Sequence, residues 1–110
     1  MTLIKIGLEF SVCRIRDVKD IDFTKDFTFL FKTDDEISLV CESQYVPESA
    51  VAVEANWRAL RIEGTLDFGM IGIIAKISNI LTEAGISIFI VSTYKNVCGW
   101  INPSPGFDTE

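Results

Sequence analysis

The chain has 110 residues, of which 48% are hydrophobic, so it can form one compact core and is not a disordered segment. Its sixteen acidic and ten basic residues give a formal charge of -6 without a basic run, which argues against nucleic acid and anionic membranes as partners. Histidine is absent, which excludes Ser-His-Asp and Cys-His catalytic pairs and removes the commonest metal ligand.

Two further negative observations concern location and cysteine chemistry. No apolar run is long enough to span a bilayer, and Glu9 interrupts the N-terminal candidate for a signal sequence. We therefore expect a cytoplasmic protein with no membrane partner. Cys13, Cys41 and Cys98 lack the short spacings of metal or redox sites, so we predict structural thiols, no metal site and no cofactor.

The first half of the chain reads as strands joined by polar connections. After a lead-in over residues 1–7, residues 8–15 are rich in β-formers and predict a strand. Residues 27–32, FTFLFK, predict a second strand with three phenylalanines on one face. Such an aromatic stripe fits a core or a binding platform, and the strand spacing favours the core.

An acidic turn and a third strand follow. Residues 33–36 read TDDE, which suits a solvated turn, or a divalent-cation site that would lack the usual loop of alternating oxygen ligands. Residues 37–42, ISLVCE, predict a strand. Residues 44–56 form a connection containing Pro47 that is helical at most in its second half.

Residues 57–94 have a complete strand, turn, helix and strand pattern. Leu60 and Ile62 alternate with charged residues in a first strand, and residues 86–91 predict a second, inner strand covered on both faces. Together they predict a βαβ unit with parallel strands. The helix between them carries an apolar stripe that comprises Met70, Ile73, Ile74, Ile77, Ile80, Leu81 and Ala84.

The ends of this helix are marked by capping residues. Asp67 suits the N-cap, because its carboxylate can accept hydrogen bonds from free amides of the first turn. Gly85 suits the left-handed conformation at the C-terminus, and Ile86 follows where a Schellman motif places a hydrophobic residue.

The chain also contains an internal echo. Residues 37–45 and 86–94 both begin with Ile-Ser and end with Ser-x-Tyr, which indicates a duplication unless chance and shared strand preference explain the match. After Tyr94 only residues 97–101 are suited to a short strand. Residues 99–110 contain two prolines and two glycines and predict an irregular tail.

The segment GTLDFGMIGIIAKISNILTEAGISIFIVSTY resembles the second half of small ACT-domain proteins related to cytosolic arginine sensors. The family's pattern is a tryptophan-led strand, a Gly-x-Leu-Asp-Phe turn, a Gly-Ile-Leu helix start, an Ala-Gly-Ile-Ser transition and a Ser-Thr-Tyr ending. FSVCRI and FLFKTDDEISLVCE agree with the same family, so the likeness spans roughly residues 8–96. The matching residues of the second half are Trp57, Gly64, Leu66, Asp67, Phe68, Gly72, Ile73, Ala84, Gly85, Ile86, Ser87, Ser92, Thr93 and Tyr94.

The resemblance implies a ferredoxin-like α+β fold built from tandem ACT-like, βαβ-containing subdomains with a mainly antiparallel sheet. We accordingly expect an incomplete first subdomain over residues 1–50 and a second over residues 51–98, with its βαβ core at 57–94. The resemblance also implies regulatory amino-acid binding. Val97 stands where the sensors have an acidic residue that helps to hold the ligand, so the same ligand is not implied.

A ligand site is also predicted by geometry, because parallel strands bring the turn after the first strand and the end of the second strand to one edge of a sheet. The turn supplies amides for a carboxylate, and the strand end supplies hydroxyls and an amide. The bland alternative is that these glycines and hydroxyls only permit packing and cap a strand. The predicted ligand-binding residues are Gly64, Thr65, Leu66, Asp67, Phe68, Gly69, Met70, Ile71, Gly72, Ser92, Thr93, Tyr94 and Asn96.

The functional hypothesis is a non-enzymatic regulatory module that binds an amino acid or similar small ligand and works as a homodimer. The first alternative is a dimerisation or protein-interaction domain whose ligand site has decayed. A small enzyme that uses carboxylates is a weaker alternative, because no buried pair of acids can be identified and histidine is lacking.

Overall fold

A computed structural model describes residues 2–63 and 68–102 of the chain. Among these residues, segments rich in β-branched and aromatic side chains form strands, and the isoleucine-rich segment forms an α-helix. Short 3-10 helices occupy Val18–Asp20 and Ser43–Tyr45. In chain order the main elements are β1 (Thr2–Ile15), β2 (Phe29–Lys32), β3 (Ile37–Glu42), β4 (Ala52–Glu63), α1 (Phe68–Glu83), β5 (Ser87–Ser92) and β6 (Val97–Asn102).

The chain forms two compact units. Leu8–Trp57 make up the first unit, and Met1–Gly7 together with Arg58–Glu110 make up the second unit. The long strands β1 and β4 each contribute residues to both units. Within each unit the strand pairs are antiparallel, which confirms the prediction of an α+β chain with a mainly antiparallel sheet.

The first unit has the strand order β2-β3-β1. Leu39 of β3 lies opposite both Leu30 of β2 and Cys13 of β1, so these three side chains share one face. The core on this face consists of Cys13, Ile15, Leu39 and Cys41, against which Leu30, Ile37 and other partly buried residues pack. The strands therefore enclose a small apolar core without an α-helix among the described residues of this unit.

The second unit has the strand order β4-β6-β5. On one face, Ile62 and Val97 form a core with Met70 of the helix, and Ile74 and Ile90 pack against it. Since side chains alternate along a strand, Trp100 points to the opposite face, where its ring stacks on Phe89 with centroids 5.2 Å apart. Both faces of β6 are thus covered by large apolar side chains.

The C-terminus of α1 has the predicted capping geometry. The amide of Gly85 donates to the carbonyl of Thr82 at 3.0 Å, and the amide of Ile86 donates to the carbonyl of Leu81 at 2.9 Å. This pair of bonds is a Schellman motif. Gly85 has a φ of 74°, which a residue without Cβ adopts at little cost, so the predicted role of this glycine is confirmed. The predicted N-cap, Asp67, lies outside the described residues.

The predicted apolar stripe of α1 is only partly buried. Met70 is fully buried and Ile74 packs on the core, but Ile73 is 37% exposed and Ile80 is 61% exposed. The stripe is wider than the surface that covers it, because the helix turns about 100° per residue and Ile73 and Ile80 lie to one side of the contact line. The isoleucine spacing predicted the helix but overstated its buried face.

The end of the sheet differs from the sequence predictions in two respects. The possible short strand at residues 97–101 is present as β6, which lies between β4 and β5 and includes residues 99–102 of the expected irregular tail. The strands β4 and β5 run in the same direction, as predicted, yet they are not neighbours, and β5 is the last strand in the order. Residues 103–110 lie outside the described residues.

Three strand boundaries also differ from the sequence predictions. β1 begins at Thr2 rather than at residue 8, and β4 begins at Ala52, where a helical connection was considered possible. The β-branched Val51 and Val53 favour extended backbone here. Phe27 does not continue β2: its φ of 58° breaks the strand, and its ring meets Phe10 edge-on at 6.2 Å.

Candidate functional site

The ends of β4 and β5 meet at the beginning of β6. Val97 lies opposite Ile62 of β4 on one side and opposite Ser92 of β5 on the other. Because β4 leads into α1 and β5 leads into the turn before β6, the start of the helix and this turn lie at the same edge. The structure therefore brings together the described parts of the predicted site, although β6 separates the two strands.

The helix side of the site presents little polar chemistry among the described residues. The predicted residues Gly64, Thr65, Leu66 and Asp67 lie outside these residues, and Phe68 begins α1. Met70 is buried in the core with Ile62 and Val97, so its side chain packs inside the unit and is not exposed at the edge. Gly69, Ile71 and Gly72 are exposed, and a Cβ on Gly72 would meet nothing within 4 Å, so tight packing does not require this glycine.

The strand side of the site is a hairpin turn held by Thr93. Its amide donates to the carbonyl of Asn96 at 2.8 Å, and its hydroxyl accepts from the amide of Asn96 at 2.9 Å. The Thr93 hydroxyl therefore stabilises the turn. Ser92 and Tyr94 are exposed and Asn96 is half-buried.

The first unit contains a hairpin turn with the same bonds. The amide of Thr33 donates to the carbonyl of Glu36 at 2.9 Å, and its hydroxyl accepts from the amide of Glu36 at 3.2 Å. The turn connects β2 to β3 as the Thr93 turn connects β5 to β6. The structural counterpart of β3 is therefore β6, whereas the sequence echo paired β3 with β5.

The internal echo in the sequence does not reveal this correspondence, because it aligns the two strands by their initial Ile-Ser residues. The two turns share only their leading threonine, in Thr-Asp-Asp-Glu and Thr-Tyr-Lys-Asn. The available signal was a threonine after one apolar strand with another apolar strand beginning four residues later, which is typical of a threonine-held turn. That signal identifies equivalent turns even where the strands diverge.

Burial controls the ionisation of the cysteine at this end of β6. Cys98 is buried, and desolvation raises the pKa of its thiol, which the nearby Arg61 partly opposes. In the first unit, a hydrogen bond between the buried thiols lowers the pKa of Cys13 and raises that of Cys41. All three cysteines are free and buried, as the prediction of structural thiols requires.

Comparisons with known proteins agree with this geometry. The sequence model of the ACT domain matches residues 52–98, which run from the start of β4 into β6. An ACT domain is therefore present in this part of the chain, as the sequence resemblance implied. No curated protein sequence matches the chain.

Solved structures with the same fold extend the likeness to most of the chain. A crystal structure of a protein from Agobacterium tumefaciens superposes with a TM-score of 0.75 at 24% identity and covers 91% of this chain and 76% of its own. A Vibrio cholerae protein, described as of unknown function and as a possible transport protein, gives a TM-score of 0.69 at 15% identity, covering 92% and 77%. The antiparallel strands and the α-helix match an ACT-type, ferredoxin-like α+β fold.

The described helix does not indicate a membrane span. Within residues 2–63 and 68–102, no helix combines the length and the apolar character that crossing a membrane requires.

Proposed function

We propose that the chain is a non-enzymatic regulatory module that binds an amino acid or a similar small polar ligand at the edge formed by the start of α1 and the Thr93 turn. The main support is the ACT domain at residues 52–98, because ACT domains are commonly small-molecule regulatory modules. The register of Ile62, Val97 and Ser92 supports the location, since it sets the helix start beside the turn. Helix N-termini attract carboxylates.

Arginine is not the ligand we favour, despite the resemblance to the arginine sensors. The acidic position of the sensors is Val97 here, and its side chain is 1% exposed in the core with Ile62 and Met70. An apolar side chain that faces a core offers no partner to a guanidinium group. The polar groups at the edge instead suit the shared ammonium and carboxylate groups of an amino acid.

The proposed module works in the cytoplasm as a homodimer. Exposed apolar side chains on α1 support the homodimer, because a partner subunit could cover them. Ile71 is 62% exposed and Ile80 is 61% exposed in the single chain. The same observation favours the alternative function, a dimerisation or protein-interaction domain without a ligand. Sedimentation at low micromolar concentration tests the dimer itself, and a stable monomer would contradict it.

Ligand binding is tested by thermal unfolding with each of the common L-amino acids in turn. A ligand present at 100 times its Kd stabilises the protein by about 2.7 kcal/mol, which is a clear shift for a domain of this size. Asn96→Ala should reduce that shift, because the half-buried side chain lies at the edge. Asn79→Ala, an exposed change on α1, is the matched control.

Two results would contradict the ligand site. One is the absence of stabilisation by every amino acid, which would leave the interaction domain as the better function. The other is equal loss of ligand affinity in the Asn96→Ala and Asn79→Ala variants, measured by calorimetry, because a site at the Thr93 turn should respond only to the first.

A further inference from the structure

Two of the three cysteines are neighbours in the core of the first unit. Cys41 of β3 lies opposite Ser11 of β1, and Cys13 of β1 lies opposite Leu39 of β3. Residues two apart along a strand share a face, so Cys13 and Cys41 are diagonal neighbours on the same face of this strand pair. Both belong to one buried core, with exposed fractions of 3% and 2%. Strand pairing thus brings together two thiols that are distant in the sequence.

Hydrogen bonds orient these two thiols toward each other. The thiol of Cys13 donates to the carbonyl of Leu39 at 3.5 Å, and the Cys13 and Cys41 thiols are also hydrogen-bonded to one another. This bond lowers the pKa of Cys13 and raises the pKa of Cys41, which makes Cys41 the donor and Cys13 the acceptor. Cys13 is therefore the thiol that ionises first, and a thiolate is the nucleophilic form of cysteine.

Cys98 has a different environment in the second unit. It lies opposite Arg61 of β4 and Val91 of β5, neither of which carries a thiol. Burial raises the pKa of its thiol, so it remains protonated and unreactive. The chain thus combines one pair of neighbouring thiols with one thiol that has no such partner across its sheet.

We propose that Cys13 and Cys41 form a reversible disulfide when the chain meets hydrogen peroxide, so that oxidation links β1 to β3. The Cys13 thiolate attacks one peroxide oxygen, the O–O bond breaks, and the leaving hydroxide takes up a proton to become water. Cys13 is then a sulfenic acid. This inference concerns the first unit and is independent of the ligand site proposed for the second.

The second step closes the disulfide. The Cys41 thiol loses its proton and its sulfur attacks the Cys13 sulfur, the S–O bond of the sulfenic acid breaks, and the leaving hydroxide becomes water. In total two thiols and one hydrogen peroxide give one disulfide and two waters. The two sulfurs are oxidised by one electron each, and the two peroxide oxygens are reduced.

The pair is covered by the two connections of the first unit. Ile21 follows β1, Val46 and Ala50 follow β3, and all three pack against the core that contains the thiols. Connecting segments open locally at a lower free-energy cost than complete unfolding. Hydrogen peroxide is small enough to enter during such an opening, so we expect slow oxidation of the folded chain.

The diagonal position of the cysteines makes the disulfide easy to reduce. Diagonal neighbours in an antiparallel pair are about 7 to 8 Å apart, whereas the Cα atoms of a disulfide are usually about 4.4 to 6.8 Å apart. The strands β1 and β3 must therefore move toward each other when the bond forms. A strained disulfide is readily reduced, which suits a reversible switch better than a permanent cross-link.

The first test maps the disulfide in the native chain. The reduced, folded full-length protein is treated with hydrogen peroxide, its remaining thiols are alkylated in denaturant, and it is digested with trypsin without reduction. Trypsin separates the three cysteines, because Cys13 falls in peptide 6–14, Cys41 in peptide 33–58 and Cys98 in peptide 96–110. We expect peptides 6–14 and 33–58 to be linked with the loss of two hydrogens, peptide 96–110 to be alkylated, and dithiothreitol to restore three free thiols.

Two variants test the order of the steps. Cys41→Ser should stop at the Cys13 sulfenic acid, which dimedone traps, because the second thiol is missing. Cys98→Ser is the matched control, a change of the same kind at another buried thiol, and should form the disulfide as the native chain does. The peptide map of the native chain decides the proposal even where a core variant fails to fold.

Amide signals in ¹⁵N-resolved NMR spectra test whether the bond changes the sheet. Residues 11–15 and 37–42 should shift on oxidation and return with dithiothreitol. Unmoved signals in the disulfide form would reduce the bond to a passive cross-link and contradict the switch. Three alkylated thiols after peroxide, a link that includes peptide 96–110, or a Cys13 sulfinic acid beside a free Cys41 would overturn the proposal. None of these outcomes bears on ligand binding at the Thr93 turn, which has its own test.

Discussion

Thr33 and Thr93 show how a single side chain specifies a turn. Each accepts a hydrogen bond from the amide three residues later and thereby closes a hairpin, β2-β3 at Thr33 and β5-β6 at Thr93. The bond at Thr33 is exposed, whereas that at Thr93 is partly buried. Water replaces a lost bond more readily at an exposed site, so the two threonines should differ in their contribution to stability.

Substituting each threonine by valine tests this difference. Thr93→Val keeps the shape of the side chain, removes the hydroxyl and should lower the free energy of unfolding by about 1 kcal/mol. Thr33→Val should cost less, because solvent can satisfy the Glu36 amide. Tyr94→Phe, at a fully exposed position of the same turn, should change nothing. Urea unfolding measures all three, and equal losses for the two threonines would show that burial does not decide the effect.

At the scale of the element, α1 demonstrates that an apolar stripe and a buried face are not the same surface. The side chains that meet the core are Met70 and Ile74, while Ile80 shares their periodicity but is 61% exposed. Burial of a large aliphatic side chain stabilises a protein by about 1.5 to 3 kcal/mol, and an exposed one contributes little to the fold. The apolar residues of this helix therefore have different roles.

Alanine substitutions separate the two kinds of isoleucine. Ile74→Ala should cost about 2 to 5 kcal/mol, because it removes packing against the core of Ile62, Met70 and Val97. Ile80→Ala makes the same chemical change at an exposed position of the same helix and should cost less than about 1 kcal/mol. Chemical denaturation provides the free energies. Similar losses at both positions would mean that Ile80 is covered in solution, as in the proposed dimer.

At the scale of the whole molecule, the two units share two strands. β1 and β4 each contribute residues to the first and the second unit, so the first unit, although continuous in sequence, begins and ends within strands that the second unit also uses. Unfolding of either unit should therefore disturb the strands of the other. We expect a single cooperative transition, as is usual for chains of this length.

The two tryptophans report on this cooperativity. Trp57 belongs to the first unit and Trp100 to the second, and they are the only tryptophans in the chain. Trp57→Phe and Trp100→Phe each leave one fluorophore, whose urea midpoint can be compared with far-UV circular dichroism of the same variant. The midpoints should coincide within each variant. A fluorescence transition displaced from the circular dichroism transition would show that the units unfold separately.

Much of the second half could be predicted because its signals are local. The alternation around Leu60 and Ile62, the isoleucine spacing of α1 and the position of Gly85 each depend on residues close in sequence. The resemblance to ACT-domain proteins likewise rested on short motifs between residues 57 and 94. Of the site predicted from these motifs, residues 64–67 lie outside the described residues.

The order of the strands could not be predicted in the same way. The sequence by itself determined that β4, α1 and β5 form and that β4 and β5 run in the same direction. Only the tertiary structure decided that β6 lies between them, because pairing joins residues distant in the chain, such as Arg58 with Ile101, and no local pattern encodes that partner.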